Sequence, residues 1–286
     1  MIPDHQTDIV YISDRMRKQY PDIDEAMRSA LGGQLRFIHN TNDIWVRDFM
    51  PIEINENQFV QFRYDPDYLK DDPELRTENA CRLLPLTQDC VQSDLVIDGG
   101  NIVRWSDAAI MTDKIYRENP GMDCQLLQKR LRELLQIDRL FIVPKEPYDC
   151  IGHADGMVRF VNDRTLLVND YSKCDPRLCN PSFGRRLAEA LPGFALVPFP
   201  YCPVNEKKDG IDSAKGVYIN FLQIRNMILL PVFGMERDDA AEKILTEMFP
   251  QSRIITVPSN KLAHEGGVLN CVTWNIKTRV PAPTSM

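Results

Sequence analysis

Residues 152–168 read GHADGMVRFVNDRTLLV, in which a short polar opening precedes two apolar runs. The runs flank Asn162-Asp163, residue types that tight turns between strands favour. His153 and Asp155 stand in the polar opening. Because residues two apart on an extended strand point to the same face, we expect an imidazole beside a carboxylate. The stretch therefore predicts a β-hairpin with two reactive side chains at its entrance.

Four more segments follow the same plan of a polar residue, a strand, a turn and a second strand. Their polar residues are Asp48, Asp98, Asn220 and Cys271, which with His153 lie 50, 55, 67 and 51 positions apart. Such spacing indicates an internal repeat, radial or stacked, whose five units could converge on one site. A generic α/β protein with coincidental spacing is the alternative. The turns lie at residues 55–57, 106–107, 162–163 and 225–226, and the last unit runs to residue 275.

Amphipathic helical patterns alternate with these strand pairs. In the clearest one, residues 122–136, apolar residues recur every three or four positions and the other face is charged. Acidic residues open the last pattern and Pro250 follows it, as is typical of helix ends. Helices are predicted at residues 15–31, 74–84, 122–136, 181–191 and 237–249.

The composition, with 43% hydrophobic and 26% charged residues, is ordinary for a soluble globular protein. Because no linker divides the chain, residues 1–286 are expected to form a single α/β domain with a frayed tail at 280–286. The net charge of −7 argues against nucleic-acid binding and suits a cationic ligand. Without a signal sequence or a long apolar run, we expect a cytoplasmic protein that binds no membrane. A homo-oligomer is possible.

The eight cysteines are expected to be reduced, since disulfides are rare in such a compartment. Cys174 and Cys179 lie too far from any histidine or second cysteine pair for a familiar zinc site. We therefore expect no metal and no organic cofactor. Most cysteines would be small apolar fillers, with Cys271 as the exception. A redox-responsive thiol protein is a competing hypothesis that depends on the cysteine count alone.

Taken together, the motifs resemble those of the agmatine deiminase and bacterial-type peptidylarginine deiminase family, among the guanidino-modifying enzymes. The resemblance covers about residues 40–275 and keeps the family's order of motifs. It implies a five-bladed, pseudo-symmetric α/β propeller, the pentein fold, which agrees with the repeat. The motifs are Trp45-x-Arg47-Asp48, Asp98-Gly99-Gly100-Asn101, Gly152-His153-x-Asp155, Tyr218-Ile219-Asn220-Phe221 and Gly266-Gly267-x-x-Asn270-Cys271.

The resemblance further implies a catalytic pair, Cys271 and His153, and a small cationic guanidine as substrate. The Cys271 thiolate would attack the guanidinium carbon, its ionised form favoured by the cationic substrate and by His153. His153 would protonate the departing ammonia and then activate the water that hydrolyses the S-alkylthiouronium adduct. The product would be a ureido compound. A buried structural thiol is the alternative for Cys271.

Asp48 and Asp155 would hold the guanidinium flat, because carboxylates match its forked N–H groups. Surface ion pairing is the ordinary alternative for an aspartate. Trp45 could stack on the guanidinium or belong to the core. Asp98 could contact the substrate, orient neighbouring groups or cap its hairpin. Gly267 would let the backbone approach the ligand closely, or would simply mark a turn.

Departures from the family pattern bear on the substrate. Residues 266–271 read GGVLNC where agmatine deiminases have Gly-Gly-Asn-Ile-His-Cys, and the segment ahead of the first motif is shorter than theirs. Agmatine remains the leading substrate, with a role in putrescine biosynthesis. Peptidylarginine, free arginine or another alkylguanidine could undergo the same chemistry. A propeller that binds guanidinium without turnover is the non-enzymatic alternative. Asn220, whatever the function, is expected to satisfy backbone groups in its own repeated unit.

Overall fold

The computed structural model of the chain describes residues 1–56, 58–87 and 89–278. Most strands are short, between two and six residues, and several are buried on both faces. The expected frayed tail at residues 280–286 and Asn57 of the first turn lie outside the described residues. The strands are β1 (Ile9–Ser13), β2 (Leu35–Ile38), β3 (Ile52–Asn55), β4 (Gln58–Arg63), β5 (Val91–Val96), β6 (Val103–Arg104), β7 (Ala108–Thr112), β8 (Arg139–Val143), β9 (Val158–Phe160), β10 (Thr165–Asn169), β11 (Ala195–Phe199), β12 (Lys207–Lys208), β13 (Ile211–Asp212), β14 (Leu222–Ile224), β15 (Met227–Val232), β16 (Arg253–Pro258) and β17 (Trp274–Ile276).

Five three-stranded sheets repeat one plan, which confirms the repeat expected from the sequence. In each sheet the middle strand pairs antiparallel with one neighbour and parallel with the other. The predicted turns near residues 106, 162 and 225 join the antiparallel pairs. A separate two-stranded sheet pairs β12 with β13. The sheet orders are β17-β1-β2, β3-β4-β5, β6-β7-β8, β9-β10-β11 and β14-β15-β16.

The fifth unit joins the two ends of the described chain. The sequence predicted a last strand pair that begins at Cys271, but β17 pairs instead with β1, from the start of the chain. Tyr11 lies opposite Trp274 in this antiparallel pair, and their rings pack 5.4 Å apart. The prediction of a fifth local hairpin is therefore wrong. The fifth sheet depends on contacts between residues that are more than 260 positions apart.

Helices connect the parallel strands in four of the five sheets. The predicted helix at residues 15–31 is split at Pro21, which lacks the N–H that an uninterrupted helix needs and instead begins the second helix. No helix of the described chain is long and apolar enough to cross a membrane. The α-helices are α1 (Met16–Gln19), α2 (Pro21–Leu31), α3 (Val46–Phe49), α4 (Lys114–Glu118), α5 (Cys124–Leu135), α6 (Phe183–Glu189), α7 (Asp238–Met248) and α8 (Asn260–Ala263).

The prediction of a helix at residues 74–84 is wrong. Between β4 and β5, the chain described up to residue 87 forms four short 3-10 turns and no α-helix. Asn79 has a left-handed backbone with φ of 52°, which interrupts any helix there. The Thr77 hydroxyl accepts a hydrogen bond from the Asn42 backbone N–H, so tertiary contacts hold this segment in an irregular path. That path brings Tyr68 to the candidate site.

Helix α5 shows how the units bury their apolar faces. Asp123 caps its start by accepting hydrogen bonds from the N–H groups of Gln125 and Leu126, at 2.9 and 3.0 Å. One face of α5, formed by leucines four positions apart, is fully buried against residues of β3, β4 and β7. Burial of each leucine contributes about 1.5–3 kcal/mol. The buried residues are Leu127, Leu131 and Leu135.

Cys174 and Cys179 are joined by a disulfide, which corrects the expectation that all eight cysteines are reduced. The two residues are separated by five positions, in a loop that follows a short turn after β10. A sequence shows how far apart two cysteines are along the chain but not whether their Cβ atoms face each other. Arg177 and Leu178, inside this loop, line the cavity described below.

Candidate active site

The five polar residues that precede the repeated units converge. Asp98 and His153 each have an extended backbone and lead into a 3-10 turn, which brings their side chains to one place. His153 Nε2 lies 2.8 Å from Asp98 Oδ2, and His153 Nδ1 lies 3.5 Å from Asp48 Oδ1. Cys271 Sγ lies 3.3 Å from Asn220 Oδ1. The side chains expected to share a site therefore do so.

The expected pairing of His153 with Asp155 is wrong in detail. Residues 154–156 form a 3-10 turn rather than a strand, so the rule that alternate residues share a face does not apply. The Asp155 carboxylate accepts a hydrogen bond from Asn270 Nδ2 at 2.7 Å and lies 3.9 Å from Cys271 Sγ. Asp98, from the preceding unit, is the hydrogen-bond partner of His153 instead.

Charges around His153 favour its imidazolium form. Burial alone would lower the pKa of His153, but the Asp48 carboxylate and the hydrogen bond to Asp98 raise it to about 9. Asp98 has no solvent exposure and does not line the cavity. Of its three predicted roles, the geometry supports orientation of a neighbouring group.

The two carboxylates proposed for the guanidinium, Asp48 and Asp155, both line the cavity at this site. Asp48 Oδ1 accepts a hydrogen bond from the Gly100 N–H at 2.9 Å. Burial raises the pKa of Asp48 to about 7, with Asp98 and Asp155 adding to the effect and His153 opposing it. Because this pKa is close to neutral pH, a charged group brought near the Asp48 carboxyl would change the fraction that is ionised.

Gly100 lies among these side chains, and the sequence did not reveal its importance. A Cβ atom at Gly100 would stand 2.5 Å from Asp48 Oδ1, 2.7 Å from His153 Nδ1 and 3.4 Å from Asp155 Oδ2. All three side chains therefore face the same small volume, which any side chain at position 100 would fill. The Gly-Gly signal was present in the sequence, but its proximity to the other motifs requires the fold.

Cys271 is a half-buried thiol in a negative environment. Burial, and then the carboxylates of Asp155 and Asp48, raise the pKa of Cys271 well above its usual value. Asn220 accepts hydrogen bonds from the thiol at 3.3 Å and from the Cys271 N–H at 3.4 Å. Asn220 also bonds to backbone groups, but these are the Asp155 carbonyl and the Cys271 N–H in neighbouring units, which corrects the expectation of partners in its own unit. Its contact with the thiol was not foreseen. The thiol therefore keeps its proton at neutral pH.

Trp45 and Gly267 meet at the rim of the site. A Cβ atom at Gly267 would lie 2.5 Å from the Trp45 ring and 3.1 Å from Cys271 Cβ, so the backbone there packs closely against both side chains. The approach of this backbone to a ligand stays a prediction. Trp45 is half-buried, packs against the core on one side and lines the cavity on the other. The expected place in the core is therefore met in part, and stacking on a guanidinium stays a prediction.

A cavity of about 670 Å³ leads from these side chains to the surface. Its lining holds nine carboxylic acids and three basic residues. The basic residues are already paired: Lys207 with Asp212 at 2.8 Å, Lys208 with Glu265 at 2.7 Å, and Arg177 with Asp175 at 2.5 Å. The acids that line the cavity are Asp43, Asp48, Asp72, Glu146, Asp149, Asp155, Asp209, Asp212 and Glu265.

Within the described ranges, no group of three or more His, Cys, Asp or Glu side chains is arranged to hold a metal ion.

An aromatic contact to His153 comes from Tyr68, whose ring meets the imidazole edge-on with 6.0 Å between the ring centres. Tyr68 was not predicted as a site residue, since the irregular segment that carries it has no motif.

Five repeated sheets bring a cysteine, a histidine and aspartates together, as the resemblance to the guanidino-modifying enzymes led us to expect. A family model described as Porphyromonas-type peptidyl-arginine deiminase matches residues 5–276, and the chain belongs to this family. The predicted family is therefore confirmed.

Individual relatives are more distant. The agmatine deiminase of Pseudomonas aeruginosa (strain UCBPP-PA14) is 26% identical over 66% of this chain, which spans 58% of that relative's length. The agmatine deiminase of Ectopseudomonas mendocina (strain ymp) is 26% identical over 85% of this chain and 76% of its own. The solved structure of C. jejuni agmatine deiminase superposes with a TM-score of 0.79 at 18% identity, over 97% of this chain and 96% of that one. The likeness confirms the predicted α/β pentein fold.

Proposed function

We propose that this protein is a deiminase that converts agmatine to its ureido product and ammonia. The observation that carries the proposal is the convergence of Asp48, His153 and Asp155 on the space beside Gly100, with the Cys271 thiol 3.9 Å from Asp155. The names of the relatives, agmatine deiminases, agree with it. We infer that Cys271 is the nucleophile, His153 the acid and base, and Asp48 and Asp155 the guanidinium ligands.

Binding of the substrate would prepare the nucleophile. A guanidinium held between Asp48 and Asp155 cancels the two negative charges that keep the thiol protonated. The pKa of Cys271 then falls, and its proton leaves to solvent, because His153 is already protonated at neutral pH. A thiolate beside the guanidinium carbon is the result, and it forms only when the cation is present.

In the first chemical step, the Cys271 sulfur bonds to the guanidinium carbon, and the bond to one terminal nitrogen breaks. His153 gives its proton to that nitrogen, which leaves as ammonia. The nitrogen free for this transfer is Nδ1, since Nε2 is bound to Asp98. An S-alkylthiouronium on Cys271 and a neutral imidazole remain.

In the second step, the neutral His153 takes a proton from water, and the resulting hydroxide attacks the same carbon. The carbon–sulfur bond breaks as the remaining proton of that water passes from the adduct's hydroxyl group to the departing Cys271 sulfur, which regenerates the thiol, and the ureido product leaves. The two steps divide one substitution at a resonance-stabilised carbon, with each barrier lower than that of direct hydrolysis.

The lining of the cavity supports agmatine over free arginine. Agmatine carries an ammonium at the end away from its guanidinium, whereas free arginine carries a carboxylate there as well. Carboxylic acids dominate the lining, and its basic residues are paired with acids. A second cation is therefore favoured and a carboxylate is repelled.

Turnover of a substrate panel tests the proposal. Wild type and Cys271→Ala would each be given agmatine, free arginine, a blocked arginine peptide and smaller alkylguanidines, with ammonia and ureido product measured. We expect wild type alone to convert agmatine, faster than the other compounds. Folded wild type that converts no guanidine would reject a deiminase, and conversion of the peptide or arginine in preference would reject agmatine.

We further propose that residues 1–286 act as one domain, because β17 pairs with β1 across the length of the chain.

With agmatine as substrate, the reaction would belong to putrescine biosynthesis in the cytoplasm. The disulfide between Cys174 and Cys179 is unusual in that compartment. Alkylation of free thiols in protein taken directly from cells would test the location, since an oxidised pair argues against it.

A further inference from the structure

Lys114, the first residue of α4, is a buried cation directly behind His153. Its Nζ lies 2.5 Å from Asp98 Oδ2, the same oxygen that binds His153 Nε2 at 2.8 Å. We propose that Lys114 is a positioning residue, which fixes the Asp98 carboxylate against His153 and sets the pH at which that imidazole releases its proton.

The contacts of Asp98 show why its position depends on Lys114. Asp98 Oδ1 is buried and makes no hydrogen bond to any residue that the structure describes. The carboxylate is therefore held through Oδ2 alone, between an ammonium and an imidazole. Replacing Lys114 with an uncharged residue would leave His153 as the cation in contact with this fully buried group.

Lys114 is itself held in place from several sides. Its Nζ lies 2.7 Å from Glu118 Oε1, 3.8 Å from Asp67 Oδ1 and 4.9 Å from the centre of the Tyr68 ring. The Lys114 side chain has no solvent exposure, so neither water nor salt screens its charge strongly. A fixed, unscreened cation beside the Asp98–His153 pair is the result.

The sign of its effect follows from charge. Lys114 repels the proton on His153, whereas Asp98 and Asp48 attract it. Without Lys114, the Asp98–His153 pair keeps its proton to higher pH, whichever partner carries it. Lys114 and His153 lie within about 5 Å through the shared oxygen, and at an effective dielectric constant of about 20 a unit charge there shifts a titration by about two pH units. The other groups that face His153 are Asp48, Glu118, Asp149 and the Tyr68 ring.

The consequence for turnover rests on the proposed function. His153 must be protonated to expel ammonia and neutral to activate water, so a midpoint far above neutral pH would stall the second step. By opposing the two aspartates, Lys114 keeps the neutral imidazole accessible nearer to neutral pH.

The test is the titration of the His153 imidazole by nuclear magnetic resonance, which requires no turnover. The signal is assigned by its loss in His153→Gln. Lys114→Met is compared with Lys114→Arg, which keeps the charge, and with Lys129→Met, which removes an exposed lysine that lies 3.9 Å from Glu133. We expect the midpoint to rise by about two pH units in Lys114→Met and to stay within about half a unit in both controls.

Glu118→Gln supplies an opposite test that does not depend on the folding of Lys114→Met. Burial raises the pKa of Glu118 to about 7, so Glu118 is ionised where His153 titrates. Its removal should lower the His153 midpoint by at least about half a pH unit. A rise or no change in Glu118→Gln, or an unchanged midpoint in folded Lys114→Met, would overturn the inference. Wild type that converts no guanidine would instead reject the proposed function and leave this titration valid.

Discussion

Replacement of Asp155 by asparagine should make the Cys271 thiol more acidic and yet nearly abolish turnover. Asp155 Oδ2 lies 3.9 Å from Cys271 Sγ, and its charge, after burial, is the next cause of the raised pKa of the thiol. At that distance and an effective dielectric constant of about 20, two unit charges interact by about 4 kcal/mol. Loss of the charge should therefore increase the acidity of the thiol on the order of a thousandfold. An asparagine can still accept the hydrogen bond from Asn270.

The assay is the rate of iodoacetamide alkylation between pH 6 and 10, followed by mass spectrometry of the peptide that contains Cys271. In Asp155→Asn the rate should reach its plateau at lower pH than in wild type. In the same variant kcat/KM for agmatine should fall about a hundredfold or more, because one charged partner of the guanidinium is lost. The exposed variant Glu133→Gln should alter neither quantity. A Cys271 thiol that titrates at an unchanged or higher pH in Asp155→Asn would refute the electrostatic reasoning.

Three more outcomes are expected. Gly100→Ala should lower kcat/KM by about a hundredfold, since its methyl would displace Asp48 and His153, whereas Gly156→Ala, with open space at that atom, should retain activity in steady-state kinetics. In wild type, kcat/KM should fall as pH drops through about 7, because Asp48, whose raised pKa is about 7, becomes neutral and binds guanidinium less well; a profile flat from about pH 6 to 8 would contradict this. Leu131→Ala should reduce the free energy of unfolding in urea by about 2–5 kcal/mol, and the half-exposed Leu126→Ala by about 0.5 kcal/mol or less; equal losses would show that α5 does not bury the face described.

Local patterns predicted much of this fold. Strands and turns near residues 106, 162 and 225 could be predicted because apolar runs and turn-forming residues determine structure over a few positions. The spacing of Asp48, Asp98, His153, Asn220 and Cys271 then indicated that these residues would meet, because equivalent positions of repeated units lie in equivalent places. Their convergence in the structure agrees with that argument.

What the sequence did not reveal depends on contacts between units. The partner of His153 is Asp98, 55 positions away, whereas a rule for a single strand pointed to Asp155. Lys114 has no motif, and its position behind His153 becomes visible only when two units pack together. The wrong prediction of a helix at residues 74–84 has the same cause. A hydrogen bond from the Asn42 N–H to Thr77 helps to hold this segment in an irregular path, which local helix propensity does not describe.

Pairing of β17 with β1 has a consequence for biosynthesis. Cys271 precedes β17 by three residues, so the proposed nucleophile lies on the segment that completes the fifth sheet. A growing chain can form its first four sheets while it still lacks both the partner of β1 and the reactive thiol. Completion of the fifth sheet and acquisition of the proposed nucleophile therefore occur together. A partly made chain would carry the proposed guanidinium ligands but not the proposed nucleophile.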